Sequence, residues 1–67
     1  MLKTKEKQRA ILTNWKVVDI MGAYRLTGTV TQHPLIAAGE EIRTSSLVRI
    51  DFKRCVAETL NTLYELL

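Results

Sequence analysis

The sequence predicts a mainly β domain with an N-terminal helix, built on a small curled antiparallel sheet. Three observations lead there. Residues 44–51, Thr-Ser-Ser-Leu-Val-Arg-Ile-Asp, alternate and are rich in strand formers. Residues 23–32 alternate too, with Thr27, Thr29 and Thr31 at every second position. The opening stretch is instead dense in Lys, Glu and Gln, which favour helix.

Residues 2–14 read as a short helix. Lys3, Lys5, Lys7 and Arg9 give it charge, and Ala10, Ile11 and Leu12 give it an apolar patch. Position 7 is Lys, so Thr4 does not begin a capping box, and the first residues are expected to fray. The chain is then one domain, residues 1–67, with a helical or frayed segment 1–14 and a sheet domain 15–67.

Residues 15–20, Trp-Lys-Val-Val-Asp-Ile, are strand-like, and Met21-Gly22-Ala23 breaks the run. A hairpin into residues 23–32 follows. There Tyr24, Leu26, Gly28 and Val30 share one face, while Arg25, Thr27, Thr29 and Thr31 share the other. Gly28 inside the run predicts a bulge or sharp bend. His33-Pro34 ends the strand, because proline has no N–H to give a ladder. Residues 35–41 form a loop around Gly39. Residues 42–52 are the third strand. Ile42, Thr44, Ser46, Val48, Ile50 and Phe52 form its inner face, and Arg43, Ser45, Leu47, Arg49 and Asp51 its outer one. Lys53-Arg54-Cys55 is a charged turn.

The last segment stays open on its own residues. Val56, Leu60, Leu63, Tyr64 and Leu67 fall on one helical face, which describes an amphipathic helix. That alternative gives an α+β fold, with the helix on the sheet.

The residues His33-Pro34, Gly39, Ile42, Thr44-Ser45, Leu47-Val48, Ile50-Asp51, Glu58-Thr59, Asn61-Thr62, Tyr64 and Leu66 carry a pattern. Over residues 26–66 it resembles short uncharacterised bacterial and phage proteins. The resemblance brings no activity, cofactor or catalytic residue. It implies a strand finish for residues 56–66, and so a curled sheet or SH3-like barrel with the N-terminal helix at one end. Lys53-Arg54-Cys55 departs from the glycine turn usual in such proteins. A phage-like origin also implies a modulator of a host system, with a host protein as partner.

Composition limits the function. A domain this small buries only about 60% of its unfolded surface, and 46% of the residues are apolar. Cys55 is the single cysteine, so no intrachain disulfide forms. Cys55 and His33 are single soft ligands without paired spacing, so neither a metal nor any other cofactor is expected. Self-association is the expected source of extra burial, making a homo-oligomer. No apolar h-region follows the N-terminal lysines and no apolar run reaches the roughly 18 residues of a membrane span, so a cytoplasmic protein is expected.

Enzyme motifs are missing: there is no GxSxG, P-loop, HExxH or CxxC. Cys55 with His33, Asp51 with Glu58, and Glu40 with Glu41 are the pairs that could be offered for catalysis, and their spacing supports none of them. A non-enzymatic interaction module is the expected function. Its binding residues are Arg25, Arg43, Leu47, Arg49 and Lys53, with Leu47 an apolar group on an arginine-bearing face. The alternative is a nucleic-acid-binding protein using the same arginines. A net charge of +3 permits that without demanding it. Trp15, Tyr24, Phe52 and Tyr64 are the aromatics available for base stacking, and most are expected in the core.

Overall fold

A computed structural model describes residues 7–67. It holds six strands: β1 (Gln8–Ile20), β2 (Ala23–Gln32), β3 (Glu41–Arg43), β4 (Leu47–Asp51), β5 (Val56–Thr59) and β6 (Thr62–Leu66). They form one sheet in the order β3-β2-β1-β6-β5-β4. All neighbours are antiparallel except β1 and β6, which run parallel from Gln8↔Thr62 to Leu12↔Leu66. The sheet is therefore mixed, not antiparallel.

No N-terminal helix is present among the described residues. The part of the expected helix at residues 8–14 belongs to β1, and residues 1–6 lie outside the described set. Helix propensity loses here to pairing on both sides. Gln8–Leu12 bonds to β6 on one edge, and Ile11 onward pairs with β2 on the other. Ala10 and Leu12 alternate into the core, at 4% and 0% exposure. A boundary between residues 14 and 15 would cut this strand in half.

The C-terminal helix is absent as well. Residues 56–66 form the β5–β6 hairpin, turning at Leu60-Asn61. Ala57, Thr59, Thr62, Tyr64 and Leu66 are all buried, which is period-two burial on two strands. Thr59 Oγ1 donates to the Thr62 carbonyl and accepts from the Thr62 N–H, tying the turn.

Bulges decide which residues face inward. In β1, Thr13 pairs with Thr29 and Lys16 with Thr27, so Asn14 and Trp15 together oppose Gly28. Asn14 takes φ 50° to make the step. The alternation shifts by one there: Ala10 and Leu12 point inward before the bulge, Trp15 and Val17 after it. Gly28 allows the approach. A Cβ on it would lie 2.8 Å from the Thr13 carbonyl oxygen and 2.9 Å from Leu12 Cγ.

The expected third strand is two strands, β3 and β4, with a crossing at residues 44–46. Leu47 pairs with Thr59 and Arg49 with Glu58, so Val48 is an extra residue in β4. Leu47 and Ile50 consequently pack on the core, while Val48 is 52% exposed. This reverses the expected facing of Leu47 and Val48.

The core is Ala10, Leu12, Leu26, Val30, Ala57, Tyr64 and Leu66, with Trp15, Ile36, Ile42, Leu47 and Ile50 packed around it. Complete burial of side chains such as Leu12 and Leu26 contributes about 1.5–3 kcal/mol each. The sheet curls so that its two ends meet. β4, at the far end of the strand order, comes into contact with β2. Thr44 extends the β2–β3 ladder by bonding to Leu26, and the Leu60 N–H extends the β4–β5 ladder by donating to the Ser46 carbonyl. The loop after Pro34 folds back on β2, where the Gly39 N–H donates to the Val30 carbonyl at 2.7 Å.

Candidate functional site

One part of the molecule stands apart from the curled sheet. β6 pairs with β1 only as far as Leu12, and β3 pairs with β2 only from Thr27 onward. Lys16–Ile20 and Ala23–Arg25 therefore pair in ladders only with each other and form a two-stranded ribbon. Its tip is a two-residue turn, Met21-Gly22, both with positive φ, and the Gly22 N–H donates to Asp19 Oδ1.

The ribbon has two unlike faces. On the inward face, Leu26 is fully buried where the ribbon leaves the core, opposite Val17. Farther out, Val17 is 39% exposed, Tyr24 58% and the tip residue Met21 100%. At the base, Phe52 from the β4–β5 turn leans on Trp15, with ring centroids 6.3 Å apart, and is itself exposed. The core's apolar surface thus runs out along the ribbon into solvent, interrupted by Asp19, which lies opposite Tyr24 on the same face. Two of the four aromatics, Tyr24 and Phe52, are exposed, against the expectation that most would be buried.

The outward face is polar at the base of the ribbon, while Val18, Ile20 and Ala23 share it toward the tip. Register places Lys16, Thr27 and Arg43 side by side across β1, β2 and β3. Arg25 follows on β2, two residues from Thr27 and on the same face. Its guanidinium Nη1 donates to the Thr44 carbonyl at 3.4 Å, beside Arg43. Arg25 Nε is buried without an acceptor among the described residues. A shallow hollow over the β1 bulge is lined by Asn14, Lys16, Thr27, Gly28, Glu41 and Arg43.

The five expected binding residues are thus divided. Arg25 and Arg43 come together on the outward face. Leu47 is half-buried on the core and presents little apolar surface. Arg49 is paired: its Nε lies 2.9 Å from Glu58, whose other oxygen binds Lys7. Lys53 sits in the β4–β5 turn, where its N–H and that of Arg54 are capped by Asp51 Oδ1. Alternation along β2 already placed Tyr24 on the Leu26 face, but nothing in the sequence singled out Lys16 and Val17. The bulge at Asn14-Trp15 hides their facing, and only Gly28 across the ladder signals it.

The Lys7 hydrogen bond holds the Glu58 carboxyl below the usual carboxylate range, helped by the charges of Lys7 and Arg49 and opposed by burial. Glu58 pairs with Lys7 and Arg49, and Asp51 holds the turn N–H groups of Lys53 and Arg54. His33 Nδ1 accepts from the Leu35 N–H, and its ring lies against Tyr64. Cys55 is exposed in the β4–β5 turn with φ 58° and shares no hydrogen bond with His33 among the described residues. Among the described residues no cluster of His, Cys, Asp and Glu could hold a metal ion. Among them, too, no helix is long and apolar enough to cross a membrane.

The chain matches no family model, no curated protein and no solved structure.

Proposed function

We propose that the protein is a non-enzymatic interaction module that self-associates through the β1–β2 ribbon. The observation that carries this reading is the ribbon's one-sided pairing. Lys16–Ile20 has a ladder partner in β2 and none on its other edge among the described residues. An open edge is a template for another strand. An isolated two-stranded ribbon is marginal in water, and further strands or a packed face supply what it lacks. A second copy offers both at once. Antiparallel pairing of the two β1 edges about Val18 makes a four-stranded sheet, and the Val17–Tyr24 faces of the two copies then lie on one side of it, with Asp19 of each copy beside Val17 of the other. The chain's small size gives the burial a thermodynamic use.

Light scattering across a concentration series tests this. The intact chain is expected as a dimer at micromolar concentration, and Val17→Asp and Tyr24→Asp as folded monomers by circular dichroism. A monomer at hundreds of micromolar for the unaltered chain overturns the reading. So does a dimer that both substitutions leave intact.

A further inference from the structure

We infer that Lys16, Thr27 and Arg43, backed by Arg25, form a binding site for the phosphates of a nucleic-acid strand. The inference is independent of self-association, because Val17 and Tyr24 lie on the opposite face of the ribbon.

Three strands bring three cations to one surface. Lys16 and Arg43 flank Thr27 on neighbouring strands, so their backbones are separated by about two strand spacings, roughly 9–10 Å. Both side chains are exposed, and neither has an ion-pair partner among the described residues. Thr27 contributes a hydroxyl between them, and Asn14 an amide at the rim. Glu41 is the one carboxylate lining the hollow, so the local balance remains positive.

Arg25 supplies the second observation. Like charge beside Arg43 and Lys16 is unfavourable unless an anion joins them. A buried N–H donor without an acceptor costs about 1–3 kcal/mol. Arg25 holds such a donor, and a single long bond to the Thr44 carbonyl keeps its guanidinium in place. Redirecting it toward an incoming phosphate gives up little and gains a charge-assisted bond.

The shape selects the ligand. The hollow is shallow and open, its cations stand on different strands, and no aromatic side chain lies among its lining residues. A small anion would need an enclosing cradle. An extended polyanion matches cations set in a row and needs no stacking platform, so recognition is through the backbone and independent of base sequence.

Fluorescence anisotropy with a labelled single-stranded 20-mer tests the site on the full chain. Affinity is expected to fall with salt at a log–log slope of about −2, for three engaged cations at roughly −0.7 each. Lys16→Ser and Arg43→Ser should each weaken binding several-fold while circular dichroism stays unchanged. Lys53→Ser, of equal charge change in the β4–β5 turn, should weaken it far less. Glu41→Gln should strengthen it. Absence of binding at low salt overturns the inference. Equal losses at Lys16, Arg43 and Lys53 also overturn it, since they would reflect net charge alone. Displacement of the oligonucleotide by inorganic phosphate at matched ionic strength would assign the site to a small anion instead.

Discussion

Thr44 extends the β2–β3 ladder past the end of β3 by bonding twice to Leu26. Its N–H donates to the Leu26 carbonyl at 2.8 Å, and its Oγ1 accepts from the Leu26 N–H at 3.0 Å. The hydroxyl then donates to the Ser45 carbonyl. A buried threonine thus does the work of a ladder residue where β3 has ended and β4 has not begun. Thr44→Val keeps the shape and leaves the Leu26 N–H buried without an acceptor. The expected loss is about 1–3 kcal/mol, read from urea denaturation. Thr44→Ser should retain most of the stability, and equal losses for both variants would mean that the methyl group matters rather than the bond.

Gly28 is the point of closest approach between β2 and the bulge of β1. A Cβ there meets backbone, the Thr13 carbonyl, and not only the flexible end of a side chain. Relief requires β1 to move out of its bulge, and overpacking of this kind costs about 1–3 kcal/mol. Gly28→Ala is expected to lower the denaturation midpoint and to redshift the emission of Trp15, the single tryptophan, as its ring is uncovered. An unchanged midpoint would show that the bulge yields without cost.

These two positions explain how far the sequence could be read. The β2 pattern was legible because it alternates without interruption around the core: Leu26 and Val30 face inward, as the period requires. The Met21-Gly22 turn was legible from glycine. The second half of β1, residues 15–20, was legible as strand; the first half was not, because the bulge changes parity at Asn14. Inward residues 10, 12, 15 and 17 follow no single period, and the lysine-rich start favoured helix. Leu47 was misplaced for the same reason, with Val48 as the extra residue. The C-terminal hairpin imitates a helix because its turn at Leu60-Asn61 also resets the period. As for the candidate surfaces, Arg25 and Arg43 could be placed on an outward face by alternation. Tyr24 could be placed with Leu26 in the same way, but Lys16 and Val17 needed the register.

Glu58 links three elements through Lys7 and Arg49, and gives the fold an acid sensitivity. In the unfolded chain its carboxyl titrates near the ordinary value of 4.5, and in the fold it titrates lower. The folded state therefore favours the ionised form. This contribution is fully present above about pH 4.5 and is lost as pH falls through the lower folded value. Thermal melts of the parent and Glu58→Gln are expected to differ at pH 7 and to converge as pH falls below 4.5. A gap that stays constant with pH would mean that the carboxylate's charge contributes nothing.

Met21 occupies an unfavourable conformation at the ribbon tip. The turn joins Ile20 to Ala23 with φ 53° at Met21 and φ 86° at Gly22, so both central residues are left-handed. A two-residue hairpin of this kind favours Asn-Gly. Left-handed backbone costs an ordinary L-residue about 1–2 kcal/mol, and Asn tolerates it better. Met21→Asn loses no packing, since the side chain is fully exposed. Thermal denaturation should then show a gain of about 0.5–1 kcal/mol, a rise of about 2–8 °C for a domain of this size. Because Val17 and Tyr24 are untouched, the association measured by light scattering should persist. A lower melting temperature would show that Met21 is held by contacts, and loss of the dimer would place the tip itself in the interface.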